Sequence, residues 1–366
     1  MTRSPSHPSL FHPTGLGTSA AHITVARPAR KEVTADADDS GPRFRVPWPA
    51  RLNPEVEQMR RRSLQWAESF GMVNSAEEVR LLDEPRFDLL AGYANPDARG
   101  LGAQLVSDWM FWYFPFDDWF DGPLGDDPAA VRAVVEPMIR FAYGDSGALP
   151  LLSPPLVRAF ADLCGRTRMG MSPTWQSRFA QDMSKYLFSY SLEAAMRRGL
   201  TEQNPPNLDH VIEIRRDAIA IRPSMAYGES AEGRELAFPL ALSETFHQIR
   251  KVCADTVVVQ NDAYSLGKDL HQGEVSNQAV VLMSRDGMTA KEAIRELERT
   301  HDRLITQYLD LEAIARTLPR DYGLPEQTPI VAGYLSNSRC WTSGNNAWSR
   351  NTKRYTVHHQ TTSVAA

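Results

Sequence analysis

The chain has 366 residues, 42% of them hydrophobic, which suits one large domain or two ordinary ones with a sizeable core. Its formal net charge of −5 gives no basic footprint and argues against nucleic acid as a partner. No stretch approaches the roughly 20 apolar residues of a membrane span, and Cys164, Cys253 and Cys340 are too scattered for a metal motif or disulfide framework, so a cytoplasmic protein without stable membrane insertion is expected.

Residues 1–43 read as a disordered leader. Pro5, Pro8, Pro13, Pro28 and Pro42 interrupt it, and Asp36, Asp38 and Asp39 add charge near its end. Asn53 as N-cap, with Pro54 at the first helical position, predicts a helix through Val56, Met59, Leu64, Trp66 and Phe70. Ser75 predicts another start, with Glu77 and Glu78 in its first turn. A short helical stretch is expected over 87–93. Residues 102–120 are apolar on every side, as in a buried helix, with Pro115 as an expected kink.

Asp127 followed by Pro128 opens a helix to Tyr143, and further helices are predicted from Leu156 and from Pro173. Residues 208–227 read as helical with a break at Arg222-Pro223, where proline withholds an N–H and frees a carbonyl. Helical segments within 239–266, 289–318 and 328–341 follow. There is no GxGxxG and no strand–helix alternation, so the expectation is all-α, with helices packed around a central cavity. One domain over 44–357 and a loose tail over 358–366 complete the reading.

The most informative stretch is Phe111-Trp112-Tyr113-Phe114-Pro115-Phe116-Asp117-Asp118-Trp119-Phe120-Asp121. Helical spacing puts Asp117 and Asp121, or Asp118 and Asp121, on one face. Like charges stacked there repel, and a divalent cation such as Mg²⁺ would offset the cost; a solvated acidic helix end is the plain alternative. A second oxygen-rich face follows another apolar run: Asn261, Ser265 and Asp269 are spaced i, i+4, i+8. Amide, hydroxyl and carboxylate oxygens suit a hard cation. Taken alone, the spacing fits a polar helix end equally well.

As an ordered set, these stretches resemble the bacterial class I terpene synthases. Asp117-Asp118-Trp119-Phe120-Asp121 resembles the DDxxD motif. Asn261-Asp262-Ala263-Tyr264-Ser265 through Asp269 resembles the NSE/DTE motif, with Asp in place of the usual Glu. Arg354-Tyr355 resembles the RY pair, with Trp348 upstream. The resemblance covers roughly residues 44–357. It implies an α-helical barrel and three Mg²⁺ ions on the diphosphate, with Asp117 and Asp121 as ligands on one side and Asn261, Ser265 and Asp269 on the other. It also implies a diphosphate-sensing arginine before a helix break. Arg215 fits best, with Ala218 as linker and the Ile219 carbonyl as effector; Arg216 stays a second candidate. Arg215, Lys268, Arg354, Tyr355, Phe114 and Trp348 are the expected substrate contacts, and Arg215, Ile219, Arg354 and Tyr355 the expected catalytic set.

The ingredients suit a substrate with an anionic head and a hydrocarbon tail. Metal and arginine would stabilise departing diphosphate, and rings such as Trp112, Phe114, Trp341 or Trp348 would face an allylic cation unless they are simply core. The expected activity is Mg²⁺-dependent ionisation and cyclisation of an isoprenyl diphosphate, farnesyl diphosphate first. Monoterpene or diterpene substrates, a chain-elongating prenyltransferase and a non-catalytic isoprenoid binder are the alternatives. A homodimer is left open.

Overall fold

The computed structural model describes residues 41–199 and 206–355. The expected leader, apart from residues 41–43, lies outside the described residues, as does the expected tail.

Fifteen α-helices and no strand occur among the described residues. In chain order they are α1 Val56–Phe70, α2 Ala76–Asp83, α3 Phe87–Ala94, α4 Gly100–Asp118, α5 Pro128–Ala142, α6 Pro155–Arg168 and α7 Pro173–Gly199. Then come α8 Leu208–Ala218, α9 Ile221–Ala231, α10 Phe238–Ala241, α11 Glu244–Gln272, α12 Gln278–Asp286, α13 Ala290–Ala315, α14 Leu318–Asp321 and α15 Thr328–Ser349. A 3₁₀ turn, Lys353–Tyr355, follows α15.

Local chemistry explains most starts. Ser75 accepts from the Glu78 N–H, Asp127 from the Ala129 N–H, and Thr289 with Glu292 forms a capping box. Each such cap contributes about 1 kcal/mol. Asn53 behaves differently. Its Oδ1 accepts from the Glu55 N–H, while its Nδ2 donates to the Asn95 and Ala98 carbonyls, and α1 begins at Val56. The buried amide therefore ties two loops together as well as starting a turn.

Six helices close a ring. Helix α3 packs on α4, α7 on α8, α8 on α11, α11 on α15, and α15 back on α3. The remaining joint, α4 to α7, is made by rings: Tyr113 meets Tyr186 edge-on at 5.0 Å, and Phe116 meets Tyr190 at 5.4 Å. Helix α4 is the aromatic stave. Trp109, Phe111, Trp112 and Phe116 are fully buried, and each such side chain contributes about 2 kcal/mol on leaving water. The one carboxylate among them, Asp108, is satisfied by Ser63, Gln104 and Arg166. The helix runs through Pro115 without interruption. At its start, Gly102 lies so close to α9 that a Cβ there would sit 2.0 Å from the Ala231 carbonyl oxygen.

The expected break at Arg222-Pro223 lies elsewhere. Pro223 is the third residue of α9, in the first turn, where its missing N–H costs no helical bond. The discontinuity is at Ile219 and Ala220, with Ala220 in the left-handed region at φ 58°. That conformation costs an alanine about 1 kcal/mol. The displacement has a simple cause. The carbonyl that Pro223 cannot serve is four residues back, at Ile219.

Candidate active site

The acidic stretch lies where α4 ends. The helix stops at Asp118, and a turn carries the chain on, with the Phe120 N–H bonded to the Asp117 carbonyl and the Asp121 N–H to that of Asp118. Asp117 and Asp121 are thus neighbours across a turn rather than along one helical face. Half of the Asp117 side chain is accessible, at 52%. Its Oδ1 accepts from the Tyr190 hydroxyl at 3.3 Å. Desolvation in the crowded cleft raises Asp117. Desolvation and the Asp117 charge together push Asp121 up to about 7. Asp118 goes the other way: desolvation opposes its ionisation, but Arg354 overrides this and holds it low.

Facing this end is α11. A single uninterrupted helix carries Asn261, Ser265 and Asp269, as the i, i+4, i+8 spacing predicts. Ser265 donates to Asp269 at 2.5 Å, and Asn277 donates to the same carboxylate oxygen at 2.7 Å. Asp262, between the oxygen-bearing positions, points away. It is fully buried and accepts from Arg215 at 2.7 and 3.1 Å and from the Gln278 N–H at 3.0 Å.

The two candidate arginines diverge. Arg215 donates to the Asn261 Oδ1 at 2.6 Å as well as to Asp262. Burial would lower its pKa, but Asp262, Glu193 and Asp269 more than reverse this, so it stays charged. Arg216 turns to Asp255, at 2.5 and 3.2 Å, beside Lys251. Four residues after Arg215 comes the Ile219 carbonyl.

The 3₁₀ turn ties both walls together. Arg354 grips Asp118 through Nη1 at 2.8 Å and Nη2 at 2.5 Å, and lies 3.6 Å from Asp117. Its guanidinium carbon sits 5.3 Å from the centre of the Phe114 ring, a cation–π contact of about 1 kcal/mol. The neighbouring Tyr355 accepts from Asn261 at 2.9 Å. Lys268 adds a third positive charge, favouring the ionised forms of Asp117, Asp118 and Asp121.

Phe114 is half-buried and stacks on Phe87 at 4.0 Å. Trp348 stands behind it, 2% exposed, with Nε1 donating to the Pro85 and Arg86 carbonyls. Trp348 therefore supports Phe114 rather than presenting a face of its own. Trp112 is likewise enclosed, donating to the Leu156 carbonyl. Trp341 is equally buried, but its Nε1 has no partner among the described residues.

The donor chemistry fits Mg²⁺. Asp117, Asp121, Asn261, Ser265 and Asp269 supply only oxygen, the atom this cation takes. Among the described residues, no three His, Cys, Asp or Glu side chains converge enough to hold an ion. Mg²⁺ bound by one or two carboxylates characteristically completes its shell with water and substrate phosphate.

Several residues at the site lie outside the expected set. Tyr190, Asp262 and Asn277 fasten Asp117, Arg215 and Asp269. Glu193 on α7 is nearly buried; its burial and the Glu274 charge push it up to about 7. Asn277 was the most accessible to sequence reasoning, since Asn before Gln278-Ala279-Val280-Val281-Leu282 is an N-cap pattern for α12.

The family model described as "Terpene synthase family 2, C-terminal metal binding" matches residues 108–307, more than half the chain and including both oxygen-rich walls. The chain belongs to the class I terpene synthases. Pristinol synthase of Streptomyces pristinaespiralis is 31% identical over 340 residues, 92% of this chain and 91% of that one. Isoafricanol synthase of Streptomyces violaceusniger is 33% identical, covering 91% of this terpene synthase and 88% of the relative. Among solved structures, wild-type cucumene synthase superposes with a TM-score of 0.75 at 27% identity, over 84% of this chain and all of that one. Linalool/nerolidol synthase from Streptomyces clavuligerus gives 0.76 at 26%, again over 84% of this chain and all of the other. The ring of helices is thus the α-helical terpenoid synthase fold. This enzyme is a terpene cyclase, a lyase acting on an isoprenyl diphosphate, and no described helix is long and apolar enough to cross a membrane.

Proposed function

We propose that this terpene synthase converts farnesyl diphosphate to a cyclic sesquiterpene in the cytoplasm, using three Mg²⁺ ions. The observation that carries the site assignment is the convergence of Arg354 on Asp118, Tyr355 on Asn261, and Arg215 on Asn261. Three diphosphate-binding candidates meet the two oxygen-rich walls at one end of the ring. The curated relatives named pristinol, isoafricanol and pentalenene synthase support a sesquiterpene cyclase, and they disfavour the elongating prenyltransferase and the non-catalytic binder.

Asp117 and Asp121 would hold metal on one side; Asn261, Ser265 and Asp269 would hold it on the other. Bound there, Mg²⁺ would offset the charge that develops on the leaving diphosphate. Arg215, Arg354 and Lys268 provide positive charge that stays in place when the carbon–oxygen bond breaks, and the Tyr355 hydroxyl adds a donor. The Ile219 carbonyl, which Pro223 cannot bond, would offer a negative dipole end to the cations that follow ionisation. Phe114 offers a ring face between the head group and the aromatic stave. The packed rings of α4 exclude water from the cation.

The test is incubation of purified enzyme and Mg²⁺ with geranyl, farnesyl and geranylgeranyl diphosphates, followed by mass spectrometry of the extract. A cyclic C15 product from farnesyl diphosphate, lost on chelation, is expected. Longer diphosphates, or no turnover of any substrate, would overturn the proposal.

A further inference from the structure

An ion pair spans the gap between α8 and α9. Asp217 belongs to the last turn of α8 and Arg222 to the first turn of α9; Arg222 Nη1 donates to Asp217 Oδ1 at 2.7 Å. Both side chains are largely shielded, 13% exposed for Arg222 and 26% for Asp217. Between them lie Ile219 and the left-handed Ala220. A second bond, from the Ala220 N–H to the Asp217 carbonyl at 3.3 Å, closes the same turn.

The pair and the candidate sensor use opposite directions from one helix end. Arg215 is committed to Asn261 and Asp262, and Arg216 to Asp255. The position between sensor and effector, Ala218, has no polar side chain to join them. Whatever holds the Ile219 carbonyl in direction must therefore come from the backbone and from groups flanking the gap. Helical bonding cannot do it, because Pro223 has no N–H. Left-handed alanine is not self-supporting either, since such conformations persist only where the surroundings over-determine them.

We propose that Asp217 and Arg222 form a positioning brace that locks Ala220 in its left-handed conformation and thereby aims the Ile219 carbonyl during cyclisation. The brace rests on the reading of Ile219 given above. Neither residue touches the head-group site, so both are positioning residues. Loss of the brace lets the carbonyl wander while the head-group ligands stay in place. Ionisation continues, but the cation is quenched before the ring closes.

Asp217→Asn and Arg222→Met, assayed in the full chain with Mg²⁺ and farnesyl diphosphate, separate the two steps. Diphosphate release should stay within about threefold of the unmodified enzyme, while the cyclic share of the product falls at least about fivefold towards linear alcohols and alkenes, because cyclisation depends on geometry more steeply than ionisation does. Arg222→Lys, which keeps the charge, should recover most of the cyclic share. The swapped pair Asp217→Arg with Arg222→Asp should recover part of it. Unchanged product ratios in both neutral variants would overturn the brace. If the neutral variants fail to fold, the swapped pair decides: restored cyclisation supports the brace, and a folded protein with the defect uncorrected overturns it. Failure of the functional reading looks different, because the unmodified enzyme itself would then yield no cyclic product.

Discussion

Tyr355 accepts a hydrogen bond from Asn261, a residue separated from it by 94 positions. The Asn261 amide thereby has both ends engaged, its oxygen by Arg215 and its nitrogen by Tyr355. Removing the hydroxyl alone, in Tyr355→Phe, leaves a half-buried amide short of one partner, a loss of about 1 kcal/mol. Turnover should fall about tenfold with the fold intact by circular dichroism. Arg354→Met removes the two bonds to Asp118 and a permanent charge, and its loss should exceed that of Tyr355→Phe by at least about tenfold.

Asn277 donates to Asp269 without being placed to hold metal itself, so under the proposed assignment it would orient that ligand from behind. Groups in that position typically change metal affinity about 10- to 100-fold when removed. Asn277→Ala should raise the Mg²⁺ concentration for half-maximal activity by about tenfold, with little loss at saturating metal. Asn261→Ala should abolish turnover at any Mg²⁺ concentration while helicity is retained. Titration of both variants with Mg²⁺ distinguishes the two outcomes, and near-normal activity of Asn261→Ala would remove it from the metal site.

Arg215 and Arg216 are adjacent in sequence but differ in their partners. Arg215→Lys keeps the charge but loses the forked contact to Asp262 and Asn261, and should reduce turnover by about 100-fold with the melting temperature nearly unchanged. Arg216→Ala should do the reverse. It leaves Asp255 with Lys251 as a remaining partner, at 3.1 Å, so the expected cost is about 1–2 kcal/mol of stability with substantial activity retained. Thermal unfolding and product formation, measured on both, test the assignment.

His301 is buried on α13, where burial pushes its pKa down to about 4 from 6.5. The neutral ring suits its place. It meets Gln260 at 3.0 Å and packs on Phe44 at 4.7 Å. A depressed histidine pKa means the unfolded chain binds the proton more readily. Its contribution to stability is therefore intact above about pH 6.5 and is lost as the pH falls towards 4. Between pH 7 and pH 4.5 this amounts to about 2–3 kcal/mol. His301→Gln should shrink the difference between urea unfolding free energies at those two pH values by about that much.

Most helices were legible in the sequence because their starts are local. Ser75, Asp127 and Thr289 each cap the first turn of the helix they precede. The ring order was not legible, since it depends on Tyr113 meeting Tyr186 and on α15 returning to α3. At the site, the i, i+4, i+8 oxygen-bearing face followed from helical geometry, because α11 is continuous there. The pairing of Asp117 with Asp121 did not, because the helix ends between them. Trp348 was named for its place beside Arg354-Tyr355, yet burial against Phe87 and Phe114 makes it a backing ring. Of the two adjacent arginines, Arg215, the one that fits the resemblance best, is the one bonded to Asn261, while about 100° of helical rotation turns Arg216 to Asp255.

Gly102 permits a backbone contact between α4 and α9 that no other residue would allow. The stave bearing the aspartates and the helix after the Ile219 gap are therefore fixed to each other like two planks of one wall. Any movement of the head-group end has to leave that joint intact, so it falls to elements away from it, such as the turn carrying Arg354. A designer wanting to part α4 from α9 has little to gain by trimming side chains along that wall. Its spacing is set by main chain against main chain, and the adjustable dimension lies across the mouth.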